Sequence, residues 1–274
     1  MLLATLSFTV MQATVKGLAG FHVFQLVFFR SVVTAALCTA ILASSGVPLL
    51  GRRRRLLVGR AICGIVSMTL FFVTLQRMPL GASLAVKYTS PVFTAAFAVL
   101  LLRERVSAPQ WLCYAAACAG VLLVRGFDNR VDATVLALGL LGAFFGGLVY
   151  VIIRRIGERE HPLVIVNYFM TLSALWSGLA MVPAWRWPTP LEWAGLLLVG
   201  GSGYVAQVSM TRAFQLQAAS EVAPIKYAEV VYSLLIGWLW FGEGYSAAAL
   251  CGIALVVASM LLSVRLARGR RPAA

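Results

Sequence analysis

Acidic residues are scarce in this chain. Its 274 residues include nine aspartates and glutamates against 23 lysines and arginines, and charged residues make up only 12%. A formal net charge of +14 would point to nucleic acid in a soluble protein. Here 61% of the residues are hydrophobic and the mean hydropathy is +0.90. No soluble domain of this length needs that much apolar surface, so the basic surplus reads as the flanks of membrane helices, and no nucleic-acid partner is expected. Histidine is rarer still, with only His22 and His161. Neither Gly-x-Ser-x-Gly nor HExxH occurs, which leaves an intramembrane enzyme as a remote alternative. No P-loop is present, so ATP is not the direct driver of any transport. The five cysteines (Cys38, Cys63, Cys113, Cys118 and Cys251) all fall in apolar runs without metal-ligand spacing. They read as packing residues; no disulfide framework, metal or other cofactor is expected. The apolar start lacks a basic n-region and a small-residue cleavage site, and reads as a first span, not a signal peptide.

What the chain has in abundance is long hydrophobic runs. About 20 apolar residues cross the hydrocarbon of a bilayer. Ten runs fit: Leu2–Ala19, Val23–Ala43, Leu56–Leu75, Leu80–Leu102, Trp111–Val124, Thr134–Ile153, Leu163–Met181, Leu191–Thr211, Ala218–Phe241 and Ala247–Leu266. The fifth is short and is expected to extend toward Gln110 and Arg125. With the N-terminus inside, most lysines and arginines, Arg52–Arg55 and Arg60 among them, fall on the cytoplasmic side. That asymmetry predicts both termini in the cytoplasm.

The chain also repeats itself at an offset of 139 residues. Lys87-Tyr88-Thr89-Ser90-Pro91 returns as Lys226-Tyr227-Ala228-Glu229-Val230, and Lys16, His22 and Glu104 map to Arg155, His161 and Glu243. Each half holds five spans, so the second half crosses in the opposite sense, an inverted repeat. The expected fold is therefore an all-α integral membrane protein of ten transmembrane helices in two inverted five-helix repeats. The expected division is residues 1–125, residues 134–266 and a basic cytoplasmic tail at 267–274. Lys87 and Lys226 fall near the membrane midplane, where a cation costs about 2.5–3.5 kcal/mol and is retained for a reason.

The run from Ser90-Pro91-Val92-Phe93 through Leu102-Arg103-Glu104-Arg105-Val106-Ser107, with Gln110-Trp111 and Gly120-Val121, resembles the hallmark of an EamA domain. The second half carries Phe241-Gly242-Glu243 in the equivalent place, and Arg30 in Phe28-Phe29-Arg30-Ser31 matches the arginine usual in that family's second helix. The likeness covers essentially the whole chain. It implies the ten-helix architecture of the drug/metabolite transporter superfamily, whose members move amino acids, sugars, nucleotide conjugates and drugs. Within it the chain looks most like the YddG-type exporters of aromatic amino acids. The resemblance departs at Val230, where the first half has Pro91.

Several residues are candidates for the site, each with a structural alternative. Lys87 and Lys226 either meet a substrate carboxylate or form structural pairs; Lys226 has Glu229 at i+3, whereas Lys87 has no local counter-charge. Glu229 either receives an amino group or proton, or pairs with Lys226. Tyr88 and Tyr227 flank the lysines. Pro91 removes the N–H that would bond the Lys87 carbonyl and is the candidate hinge. Arg30 either binds substrate or is structural, and Glu104 and Glu243 read as loop or cap residues. Tyr204 and Gln207 share a face of the eighth helix, and the repeat maps it onto Met68 and Phe72 in the third; Asn167 and Tyr168 map onto Phe28 and Phe29. A polar wall opposite an aromatic one suits an amphiphilic solute, although such stripes also simply pack. The glycines Gly142 and Gly146 permit close helix approach, and Trp185, Trp187, Trp193 and Tyr245 form an interfacial belt.

The expected function is a secondary carrier exporting small zwitterionic or anionic metabolites, amino acids including aromatic ones, across a bacterial inner membrane by alternating access. Small-molecule substrate and membrane lipids are its expected partners, and a monomer its expected state. The alternative is a proton-coupled multidrug or cation exporter using Glu229. Against it, the first span lacks the carboxylate that small multidrug pumps carry there.

Overall fold

In hydrocarbon a chain has to satisfy its backbone N–H and C=O groups internally, and every regular element described is helical. The structure is a computed structural model describing residues 2–102, 106–127, 132–157, 160–216 and 228–268. The helices are α1 (Leu2–Gly17), α2 (Val23–Ser44), α3 (Arg54–Arg77), α4 (Leu80–Lys87), α5 (Ser90–Leu102), α6 (Ala108–Phe127), α7 (Ala133–Ile156), α8 (Pro162–Met181), α9 (Pro190–Leu216), α10 (Ala228–Phe241) and α11 (Ala247–Arg268). Among the described residues six helices are long and apolar enough to cross a membrane, with α4 and α5 together forming one crossing; α6 and α10 are shorter apolar helices. With α1 and α9 they make ten crossings, close to the ten apolar runs. The fifth run does extend at both ends, to Ala108 and Phe127.

Helix ends follow local chemistry. His22 and His161, at matching repeat positions, accept at their ring nitrogens from the backbone N–H of Phe24 and Leu163 and so start α2 and α8. Asp132 caps α7 through Thr134 and Val135. Gly157 and Gly242, at φ 62° and 61°, follow α7 and α10 in the left-handed region that favours glycine.

The repeat is visible in the packing. The helix α1 lies against α9 and α10, and its counterpart α7 lies against α3 and the α4–α5 pair. Likewise α2–α9 contact is matched by α8–α3. The pairs α2–α8 and α6–α11 each join a helix to its own counterpart, and α4–α10 joins the fourth crossing to the equivalent crossing of the second half. Exchanging the halves maps each of these interfaces onto another or onto itself, as a two-fold between inverted repeats requires.

Glycines set the closest approaches. A Cβ at Gly142 would lie 3.2 Å from Leu70 Cβ, and one at Gly147 would lie 2.7 Å from Phe93 Cβ. Ser67 Oγ donates to the Gly142 carbonyl at 2.8 Å and fixes α3 on α7.

Loop contacts sort the helix ends onto two faces. The end of α1 (Lys16), the turn between α3 and α4 (Met78, Leu80) and the turn after α10 (Glu243) meet on one face. On the opposite face Arg53 N–H donates to Glu160 at 2.6 Å, and its guanidinium donates to the Arg155 carbonyl. Because α1 runs toward the Lys16 face, ten crossings return both chain ends to the Arg53 face. The last residues of the basic tail, 269–274, lie outside the described residues, as do Glu104, Lys226 and Tyr227.

Candidate substrate site

The fourth crossing breaks where its sequence says it must. Pro91 has no N–H for the carbonyl of Lys87, and α4 ends at Lys87 while α5 begins at Ser90. Between them the Thr89 N–H turns back to the Val86 carbonyl at 3.1 Å. The break puts the Lys87 side chain against the molecule's central cavity, with its ammonium 4.4 Å from the centre of the Phe71 ring.

Opposite, Glu229 sits in the first turn of α10, where the helix dipole favours a carboxylate. It occupies the repeat position of Ser90, which opens α5, and both residues line the cavity. Glu229 is 1% exposed. Three donors converge on it: Gln12 Nε2 at 2.5 Å, Lys87 Nζ at 3.2 Å and Tyr88 Oη at 2.7 Å. The sequence had left Lys87 without a counter-charge and had offered Glu229 a partner on its own helix. The structure supplies the counter-charge across the repeats. Sequence spacing sees only i+3 and i+4 neighbours, so it could not see a pair 142 residues apart.

The cavity has a volume of about 210 Å³. Of the sequence candidates, Arg30, Met68, Phe72, Lys87, Gln207 and Glu229 line it together. Tyr88 stands one step behind, its ring in the core cluster and its hydroxyl on Glu229. Tyr204 packs on the α1–α2–α3 cluster, Tyr168 against Leu57 and Ile165, and Asn167 accepts from Thr39; none of the three is on the cavity wall. Of the expected belt, Trp187 is exposed, but Tyr245 is drawn inward to hydrogen-bond with Glu243.

Sequence reasoning counted Arg60 with the cytoplasmic loop charges. It is instead buried inside α3, on the cavity wall, with its guanidinium carbon 4.0 Å from the Phe169 ring centre. The signal was present in the spacing: Arg60, Gly64, Ser67, Phe71 and Thr74 follow one another at three or four residues along one stripe of α3, with Met68 beside it, and all line the cavity. Among the described residues no cluster of His, Cys, Asp and Glu could hold a metal ion.

The cavity spans the middle of the bundle. Its lining reaches Arg60 and Ile153, within two turns of the α3 start and one turn of the α7 end on the Arg53 face. Toward the Lys16 face it reaches Thr74 and Ser83, each within one turn of a helix end, and Gly139, within two turns of the α7 start. Beyond them lies a polar tie. Lys16 Nζ is 2.9 Å from Glu243 Oε1 and donates to the Met78 carbonyl at 2.7 Å, and the Leu80 N–H donates to Glu243 Oε2 at 2.9 Å. Glu243, read from sequence as a loop or cap residue, thus joins the end of one repeat to helices of the other.

Comparison with known proteins agrees with this architecture. The EamA-like transporter family matches residues 1–126 and 133–265. A pseudopaline exporter of Pseudomonas aeruginosa is 30% identical over 97% of this chain and 95% of its own length. A riboflavin transporter of Rhizobium johnstonii is 28% identical over 78% of this chain and 72% of its own, and human solute carrier family 35 member G1 is 25% identical over 94% of this chain. A solved crystal structure superposes with a TM-score of 0.67 over 98% of this chain and 99% of its own, at 20% identity, which speaks to the fold alone. With ten crossings, a broken fourth span and a central cavity that holds Lys87 and Glu229, the chain belongs to the EamA-like transporter family.

Proposed function

We propose that this protein is a secondary carrier that exports carboxylate-bearing small metabolites, amino acids and aromatic ones among them, from the cytoplasm of a bacterium across its inner membrane. The observation that carries the reading is the meeting of Lys87 and Glu229, from equivalent crossings of the two repeats, at the wall of a central cavity. Charged groups at membrane depth, on half-helices related by an inverted repeat, are the arrangement in which such carriers bind their solutes. The aromatic and thioether wall of Phe8, Phe71, Phe72 and Met68 gives a solute body its apolar contact.

Alternating access is read from the polar contacts that close the two ends. Lys16 and Glu243 tie one face, and Arg52–Arg55 cluster at the other. By the positive-inside rule the Arg53 face is cytoplasmic, so release of solute outside requires the Lys16–Glu243 tie to open. Export is the direction named for the Pseudomonas relative. A cation exporter coupled to protons through Glu229 is the competing reading. Against it, the Glu229 carboxylate is already engaged by Gln12, Lys87 and Tyr88.

The test is transport by purified protein in liposomes, comparing labelled tryptophan, threonine and a cationic dye with empty vesicles, with and without a pH gradient. Tryptophan flux competed by phenylalanine supports the carrier reading. Proton-driven dye flux without any amino-acid flux overturns it and makes Glu229 the residue to study.

A further inference from the structure

We infer that Arg30 and Arg60 form a two-point anion site, and that among carboxylate-bearing solutes this carrier prefers those with two carboxylates. Both side chains line the cavity and both residues are only 5% exposed. Neither has an acidic partner among the described residues. Nε of Arg30, and Nε and Nη1 of Arg60, are buried without a hydrogen-bond partner among the described residues. Structural arginines at such depth are normally paired, because leaving a charged donor unmade is expensive. What Arg30 and Arg60 have instead are soft supports that hold the guanidinium without neutralising it. Arg60 lies over the Phe169 ring, and Arg30 lies 5.8 Å from the Phe72 ring centre with its Nη1 on Met68 Sδ.

The charge count of the wall gives the number of anionic groups. Lys87 is answered by Glu229. Arg30 and Arg60 remain, so among the described residues the lining carries a surplus of two positive charges. A zwitterion would leave that surplus standing; a dicarboxylate removes it. The spacing leaves each guanidinium free to take its own carboxylate. Arg60 reaches the level of Gly64, where a Cβ would lie 3.2 Å from its Nη1, and Arg30 reaches Met68. Those levels are one turn apart on α3, about 6 Å along its axis. Each guanidinium then offers a carboxylate its paired N–H donors. The inference rests on the carrier reading above and names its solute class.

The experiment uses full-length protein in nanodiscs and four probes of one shape: phenylsuccinate with two carboxylates, 3-phenylpropionate with one, phenylalanine as the zwitterion and phenethylamine as the cation, with inorganic phosphate as the fifth. Calorimetry is expected to show phenylsuccinate binding at least about tenfold tighter than 3-phenylpropionate, and phosphate weakly. Arg60→Gln and Arg30→Gln should each abolish that preference, and Arg60→Lys should restore part of it. Equal affinity for the one- and two-carboxylate probes in the unmodified protein overturns the site without reference to any variant. So does an undiminished preference in both glutamine variants. Flux in proteoliposomes separates this inference from the carrier reading. Phenylsuccinate bound selectively but not carried upholds the arginine site and removes transport. Tryptophan carried with no dicarboxylate preference removes the arginine site and upholds transport.

Discussion

Lys87 Nζ lies 3.2 Å from Glu229 Oε1, and this contact fastens the break in the fourth crossing to the first turn of α10 in the other repeat. Its two ends are not equally dependent on each other. The Lys87 side chain is 33% exposed and borders the cavity, while that of Glu229 is 2% exposed. Removing the lysine leaves a buried carboxylate held by Gln12 and Tyr88; removing the carboxylate leaves an ammonium that can turn to cavity water. Lys87→Met is therefore expected to destabilise by about 1–3 kcal/mol and Glu229→Gln by about 1 kcal/mol or less, the exposed end being screened. Melting curves in one detergent check the order. A larger loss for Glu229→Gln would mean that the carboxylate, not the lysine, organises the junction.

Close packing between repeats predicts a sharp contrast at two adjacent glycines of α9. A Cβ at Gly200 would lie 2.5 Å from Val33 Cβ on α2, an atom held by its own backbone. A Cβ at Gly201 would meet nothing within 4 Å. Gly200→Ala should cost about 1–3 kcal/mol through overpacking, and Gly201→Ala should be neutral or mildly stabilising through helix propensity. Thermal unfolding of the two variants side by side reads this out, and equal melting temperatures would remove the contact from the α2–α9 interface.

Much of the frame was legible because hydrocarbon imposes it. Spans such as Val23–Ala43 and Leu163–Met181 match α2 and α8 nearly residue for residue, since length and apolar content decide them alone. The break at Pro91 followed from a missing N–H, and the pairing of the halves from the 139-residue offset. The site was legible only in part. Lys87, Glu229, Arg30, Gln207, Met68 and Phe72 reach one cavity, but Tyr204, Asn167 and Tyr168 turn off its wall, because a shared helical face says nothing about which neighbour it meets. Arg60 was assigned to a loop by its charge although it lay within an apolar span; charge counting cannot distinguish an arginine that flanks a helix from one that faces a cavity.

The Lys16–Glu243 tie sets how firmly the Lys16 face is closed. Glu243 collects Lys16 Nζ, the Leu80 N–H and the Tyr245 hydroxyl, and its loss unfastens α1 from the turn after α10 and from the start of α4. Lys16 keeps the Met78 carbonyl, and Gln76 still donates to the Phe21 carbonyl at 3.0 Å, so the Lys16 face should loosen without unfolding. Losing about 1.4 kcal/mol from one side of a two-state balance shifts it about tenfold. Ser83 reports on this: it lines the cavity below the tie and is 1% exposed. In a background cleared of the native cysteines, Ser83→Cys should react slowly with a membrane-impermeant maleimide added at the Lys16 face. It should react about tenfold faster once Glu243→Gln is added. An unchanged labelling rate would mean that helix packing alone holds that face shut, and that the ion pair merely accompanies the closure. Solute flux should follow the labelling: a carrier whose Lys16 face closes poorly spends less time loading from the Arg53 face, so the same substitution should slow export.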